Sequence, residues 1–133
     1  MFRRTLLLGA AAVLSLSTVP MTAFAADIND IRHSTWNSTY QNDAGTFVVD
    51  ATIELNGDSG TYTLSNGETG LLTGLRYAYI TPAPELKVGV YGTWRLRNES
   101  GGFTFRITGD GQRFGGQWAG AGNKRGTWTG SRW

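Results

Sequence analysis

Apolar and polar side chains alternate in eight short runs of this 133-residue chain, and turn-forming residues separate the runs. Alternation of this kind places apolar side chains on one face of a β-strand, whereas an amphipathic helix repeats about every 3.6 residues. No helical period persists after residue 25, so we predict an all-β fold. The predicted strands cover residues 35–41, 46–55, 59–65, 70–80, 87–97, 103–108, 112–120 and 125–133.

Short turns join these runs, and several have sequences typical of β-hairpins. Residues 56–58 read Asn-Gly-Asp, residues 66–67 read Asn-Gly and residues 109–111 read Gly-Asp-Gly. Consecutive antiparallel strands with short loops close economically into a barrel, because closure removes the exposed edges of the sheet. We therefore predict an eight-stranded antiparallel up-and-down barrel, with a β-sandwich as the alternative that the same alternation permits.

A small residue, a threonine and an aromatic residue occur together five times, as at residues 92–94 and 126–128. In a barrel wall the small residue relieves curvature, the threonine favours extended backbone on the wet face and the ring fills the interior. Glycines in the inward register of the later strands serve the same purpose. They are Gly92, Gly116, Gly120, Gly126 and Gly130.

Residues 1–25 have the features of a secretory signal peptide. Arg3 and Arg4 form a basic start, residues 6–16 are apolar, and residues 23–25 read Ala-Phe-Ala, a small-x-small cleavage site. The apolar run is shorter than the roughly 20 residues that a membrane-spanning helix needs. We predict cleavage after Ala25, a single barrel domain over residues 26–133, no transmembrane segment, and a secreted or periplasmic protein.

Composition argues against several kinds of chemistry. The chain has no cysteine, which excludes thiol catalysis, iron–sulfur clusters and disulfides. Small exported domains often depend on disulfides, so their absence favours a bacterial source and a test for homo-oligomers. His33 is the single histidine and precedes the first strand, so neither a histidine metal site nor a Ser-His-Asp triad is supported. We predict a protein that is not an enzyme and has no metal or cofactor.

Charge is divided unevenly along the chain. Beyond the predicted signal peptide there are ten basic and ten acidic residues. Residues 27–68 carry seven acidic residues and one basic residue, whereas residues 69–133 carry nine basic and three acidic residues. Such a division can steer a charged partner or align protomers head to tail. Nucleic acid is not an expected partner for an exported chain of zero net charge.

The predicted interior is rich in aromatic residues and is the leading candidate for a binding site. An eight-stranded barrel is just wide enough either to be filled by its side chains or to hold one small ligand. Tyrosine and tryptophan add polar groups to an apolar cavity, which suits a small, partly apolar ligand in the open end. The predicted ligand-binding residues are Ser38, Tyr40, Tyr62, Thr73, Tyr77, Trp94 and Trp118.

The alternative hypothesis is an interaction module that binds an extracellular protein or glycan through its outer surface. Arg95, Arg97, Arg106 and Arg113 alternate outward on the later strands and would form a surface for an anionic partner. In this hypothesis a turn such as residues 81–85 inserts into a hydrolase and inhibits it.

Two short motifs resemble those of the calycins, the barrel proteins that include lipocalins and avidins. Calycins carry Gly-x-Trp on the first strand and an arginine near the end of the last strand that packs across this tryptophan. Here Ser34, Thr35 and Trp36 take the first place and Arg132 the second. The resemblance implies that Arg132 stacks on Trp36 and closes one end of the barrel.

The order of the motifs is most similar to that of an avidin, with Gly-Thr-Tyr at residues 60–62 on the third strand. The residues that bind biotin in avidins are not matched. Ser38 stands where an avidin has asparagine, Leu64 stands where it has serine, and no acidic residue follows Asp110. The resemblance therefore implies the fold of an avidin without its ligand.

Overall fold

The computed structural model describes residues 26–80 and 87–133, and it confirms the eight-stranded antiparallel barrel. Each strand pairs with its neighbours in sequence, and the pairing of the last strand with the first excludes the β-sandwich. The predicted signal peptide and the loop at residues 81–85 lie outside the described residues. The strands are β1 Thr35–Asn42, β2 Val48–Asn56, β3 Ser59–Leu64, β4 Thr69–Ile80, β5 Lys87–Leu96, β6 Glu99–Ile107, β7 Arg113–Ala119 and β8 Arg125–Arg132.

One helical turn that the sequence analysis did not predict, α1 (Ile28–Ile31), precedes β1. The Asp27 side chain caps it by accepting a hydrogen bond from the backbone N–H of Asn29, and Ile31 is fully buried. A single turn is too short for a 3.6-residue period to be visible. No helix among the described residues has the length and apolar character that crossing a membrane requires.

Strand β4 corrects a predicted register. Simple alternation over residues 70–80 predicts Leu71 on the same inward face as Leu75, Tyr77 and Tyr79. The Leu71 side chain is 47% exposed, however, and Leu72 is buried instead. A β-bulge between Thr73 and Arg76 shifts the pairing of β4 with β5, and Gly74 adopts a positive φ of 61° there. The extra residue reverses the alternation, so the inward series continues from Leu75 after the bulge.

Alternation also predicts inward positions for Tyr79 and for Phe47, and both residues fall at strand ends. Tyr79, near the end of β4, is 46% exposed, and Phe47 precedes the first residue of β2 and is 47% exposed. Both residues occupy inward-facing positions in the alternation of their strands. They lie at the rims of the barrel, however, where side chains are open to solvent. Alternation identifies a face and does not identify the depth of a side chain within the barrel.

Interior glycines allow close approach of neighbouring strands and rings, as predicted. A Cβ atom on Gly126 would lie 1.7 Å from the carbonyl oxygen of Gln41 on β1. A Cβ atom on Gly130 would lie 2.3 Å from the ring of Phe114. Larger residues at these positions would separate β8 from its neighbours.

Candidate functional site

The barrel end at which β1 begins is sealed by the stack that the calycin resemblance implied. The Arg132 guanidinium carbon lies 5.4 Å from the centroid of the Trp36 ring, which is 1% exposed. The same guanidinium donates hydrogen bonds to the Asp30 carboxylate at 2.8 Å and to the Gly111 carbonyl at 3.2 Å. Arg132 thus joins the helical turn, a hairpin turn and the last strand across one end, which we call the closed end.

Ser34, where the calycin motif has glycine, completes this closed end. The Trp36 indole N–H donates a hydrogen bond to the Ser34 hydroxyl at 2.7 Å. That hydroxyl in turn donates to the Ile31 carbonyl at 2.6 Å, which satisfies an orphan carbonyl of α1. The Trp36 indole and the Ser34 hydroxyl, both buried here, are therefore paired within the protein.

The opposite end opens into a cavity of about 660 Å³, which we call the cup. Ligand pockets in proteins span roughly 300–1,000 Å³, so the cup has room for one small organic molecule. Six aromatic side chains from five strands and one turn line it. They are Tyr40, Phe47, Tyr62, Trp94, Trp118 and Trp128.

The rings of the cup hold one another in place by edge-to-face contacts. The centroids of Tyr62 and Trp128 lie 5.2 Å apart with the ring planes at 76°. Trp118 contacts Tyr40 at 6.2 Å and Trp94 at 6.0 Å, with both pairs close to perpendicular. Such pairs are favourable arrangements of aromatic quadrupoles. The cup is therefore formed before any ligand arrives.

All three indole N–H groups of the cup are directed into the barrel wall. Trp94 donates to the Ala119 carbonyl at 2.9 Å, and Trp118 donates to the Gln41 carbonyl at 3.0 Å. Trp128 donates to the Ser38 hydroxyl at 3.0 Å. The tryptophans therefore present carbon surface to the cup, and their hydrogen-bonding capacity is already used.

Two phenol hydroxyls are the polar groups of the inner cup. The Tyr62 hydroxyl donates to the Arg95 carbonyl over a long 3.4 Å. The Tyr40 hydroxyl makes no hydrogen bond with any described residue, although Tyr40 is only 8% exposed. Burial raises the pKa of both tyrosines, so both remain neutral donors at neutral pH. The Tyr40 hydroxyl belongs to a side chain that lines the open cup, where it can pair with solvent or with a polar atom of a ligand.

Tyr40→Phe is therefore expected to leave the free energy of unfolding of the ligand-free protein unchanged or slightly higher, because no protein hydrogen bond is lost. Tyr77→Phe is the matched control at the other end, where the Tyr77 hydroxyl donates to the Gly57 carbonyl at 2.8 Å. Loss of this hydrogen bond in Tyr77→Phe should lower the free energy of unfolding by about 1 kcal/mol. Urea unfolding followed by circular dichroism compares the two. A clear destabilisation by Tyr40→Phe would show that this hydroxyl has a structural partner.

Charged residues surround the entrance to the cup, which we call the mouth. Three ion pairs join four of the connecting turns there. Exposed pairs of this kind contribute little stability, but they place charges of both signs around the entrance. The pairs are Arg97 with Glu68, Lys124 with Glu99 at 3.3 Å, and Arg125 with Asp43 at 3.0 Å.

Arg97 has an unusual backbone at the mouth. Its φ of 55° is the one positive value among the described residues other than glycine, in a two-residue turn between β5 and β6. Hydrogen bonds from its guanidinium lower the pKa of Glu68. A two-residue hairpin turn requires a positive φ at a central position, which explains the Arg97 backbone and directs its side chain from this turn to Glu68.

The structure brings together four of the seven predicted ligand-binding residues, namely Tyr40, Tyr62, Trp94 and Trp118. The other three do not line the cup. Ser38 is buried and bonds Trp128 and the Ala51 carbonyl, and Thr73 is exposed on the outer wall beside the bulge. Tyr77 lies near the closed end under the Arg32 guanidinium, 5.1 Å from its ring centroid.

Sequence reasoning missed two rings and the charged mouth. Trp128 lies in one of the repeated triplets of a small residue, a threonine and an aromatic residue. That triplet predicts an inward ring, so the sequence did contain a signal that could have placed Trp128 in the site. Phe47 was also placed inward. The ion pairs had no local signal, since Asp43 and Arg125 are 82 positions apart.

The predicted anionic-partner residues divide between two places. Arg95, Arg106 and Arg113 are exposed on the outer wall of β5, β6 and β7, as predicted. Arg97 instead lies in the turn after β5, where it lines the mouth and pairs with Glu68.

No group of three histidine, aspartate or glutamate residues within the described ranges could hold a metal ion. No protein-family model matches the chain, and neither a curated protein nor a solved structure matches it significantly. The closed barrel is compatible with a calycin-like fold, and function has to be inferred from the geometry of the chain itself.

Proposed function

We propose that this protein is a non-catalytic binding protein that acts outside the cytoplasm and holds a small, partly apolar ligand in the cup. The observation that carries the proposal is a preformed aromatic cavity, sealed at the far end, in whose wall the Tyr40 hydroxyl makes no hydrogen bond with any described residue. The N-terminal sequence pattern supports export. The resemblance to calycins supports the same kind of role by analogy alone.

The distribution of polar groups indicates how such a ligand would lie. The inner cup offers ring surface and two phenol hydroxyls, which suits a flat or cyclic group with one hydrogen-bonding atom. The mouth offers charged groups of both signs, which suits the polar end of the same molecule. The carboxylates at the mouth, Asp43, Glu68 and Glu99, are each paired with a cation, which favours binding over acid–base catalysis.

The proposal is tested with N-phenyl-1-naphthylamine, a neutral aromatic probe that fluoresces in apolar surroundings. The protein is first unfolded and refolded to release any bound molecule. Trp118→Ala removes one ring of the cup and should weaken probe binding about tenfold, the effect of losing one well-packed aromatic wall. The measurement is a fluorescence titration, with circular dichroism to verify that each variant is folded.

Trp133→Ala is the matched control, because Trp133 is 72% exposed and follows β8 at the opposite end of the barrel. It should leave the affinity for the probe unchanged. Absence of binding by the refolded protein, or equal binding by both variants, would refute the proposed function.

A further inference from the structure

Half of the basic residues beyond residue 25 form no ion pair with any described residue, and all of them lie on one side of the barrel. Each is exposed and projects from the outer face of one of four adjacent strands, β4 to β7. We call this surface the basic wall. Its residues are Arg76, Lys87, Arg95, Arg106 and Arg113.

The paired cations lie elsewhere. All five ion pairs of the described residues join turns or strand ends. They neutralise four of the seven acidic residues in the first part of the chain, namely Asp30, Asp43, Asp58 and Glu68. Among the described residues, the charge division of the sequence therefore becomes ion pairs at the two ends and a set of unpaired cations on one wall.

Almost no negative charge lies on the basic wall. Glu99 is the single acidic residue in the four strands, and it pairs with Lys124 at the mouth. Asp110, in the turn before β7, has its pKa lowered by hydrogen bonds from Thr108 and Gln112 and by the charge of Arg113. Its carboxylate accepts those hydrogen bonds and forms no ion pair with Arg113.

The wall also holds one aromatic residue between its cations. The Arg76 guanidinium carbon lies 5.9 Å from the centroid of the Tyr91 ring. The Tyr91 ring extends along the wall over Gly89, where an added Cβ would lie 2.5 Å from the tyrosine hydroxyl. Arg76 pairs with Tyr91 and Arg106 pairs with Gly89 on the neighbouring strands, and both arginines are exposed.

The curvature of the barrel decides what kind of anion can use this wall. Eight strands complete one turn, so neighbouring strands face directions that differ by about 45° and the four strands span nearly half of the circumference. A flat bilayer surface can meet only part of such a wall at one time. A flexible linear polymer can follow the curve and contact cations on several strands.

We propose that the basic wall binds inorganic polyphosphate, a flexible linear polymer made of phosphate groups alone, at a site separate from the cup. Four of the five cations are arginines, whose planar guanidinium groups match the oxygens of a phosphate in paired hydrogen bonds. Each contact is exposed and weak alone, so affinity arises from several contacts made along one chain. Binding falls as salt rises, because each contact displaces counterions from the polymer.

The experiment uses inorganic polyphosphate of about one hundred units as the probe, with tripolyphosphate as the short form of the same chemistry. Long polyphosphate should bind at least about tenfold more tightly than tripolyphosphate, because only the long chain spans several strands. The double variant Arg106→Gln with Arg113→Gln should weaken long-chain binding about five- to tenfold and flatten its dependence on salt. Titrations at several salt concentrations measure both effects.

The double variant Lys124→Gln with Arg125→Gln has the same net charge but alters the mouth, so its affinity for polyphosphate should change less than about twofold. Three results would overturn the proposal. They are equal weakening by both double variants, binding to anionic phosphatidylglycerol vesicles without binding to polyphosphate, and tighter binding to single-stranded DNA than to polyphosphate. The double variant of the wall, Arg106→Gln with Arg113→Gln, should bind the aromatic probe of the cup normally, so the two proposals fail separately.

Discussion

Trp36→Ala should lower the free energy of unfolding by about 3–5 kcal/mol, the range for removing a fully buried large aromatic side chain. The indole is 1% exposed, packs edge-on against Phe114 at 5.5 Å and supports the Arg132 guanidinium. Truncation would leave a cavity at the closed end. It would also remove the indole N–H that donates a hydrogen bond to the Ser34 hydroxyl. Urea denaturation followed by circular dichroism measures the loss.

The same substitution at Trp133 provides the control. Trp133 is 72% exposed, so its replacement by alanine should change the free energy of unfolding by less than about 0.5 kcal/mol. A loss below about 1 kcal/mol for Trp36→Ala would mean that the closed end does not depend on this stack.

Gly126→Ala should destabilise the barrel by about 3 kcal/mol or more, because the added methyl group has no space. It would lie 1.7 Å from the Gln41 carbonyl oxygen and 2.7 Å from the Asn42 Cα, both of them backbone atoms of β1. Backbone cannot rotate away as a side chain can, so the seam between β8 and β1 would have to separate. Gly126 also pairs with Trp118 of β7, which lines the cup. Separation of the strands would displace this ring, so Gly126→Ala should weaken binding of the aromatic probe as well as lower the stability.

Gly115→Ala is the matched control, since an added Cβ there has no atom within 4 Å and the backbone φ is not positive. It should be neutral or stabilise the protein by up to about 1 kcal/mol, by reducing the freedom of the unfolded chain. Thermal and urea unfolding of both variants check the pair. Similar stabilities for the two would contradict the steric role of Gly126.

Most of the strands were predictable because alternation is a local property. Strand boundaries agree closely with the prediction except at β2, which begins at Val48, and β6, which begins at Glu99. The inward register of β4 was wrong at Leu71 because the bulge depends on how β4 pairs with β5. Gly74 was the only local signal of that bulge, and a single glycine has many other uses.

The aromatic residues of the cup were predicted as inward residues, but their assembly into an open site was not fully predictable. Ser38 and Tyr77 were expected to contact a ligand, and each instead bonds a group distant in the sequence, Trp128 in one case and Gly57 in the other. A polar residue at an inward position either supports the fold or faces a cavity, and only its partners distinguish the two.

The sequence by itself determined that this chain folds into an all-β barrel with aromatic residues inside, because alternation and turn residues act on neighbouring positions. Only the tertiary structure decided which end is sealed, which phenol lacks a partner and which cations remain unpaired. Those properties depend on atoms brought together from distant positions, such as Arg132 and Asp30, 102 residues apart. Burial and ion pairing are set by that proximity, so one-dimensional patterns carry little information about them.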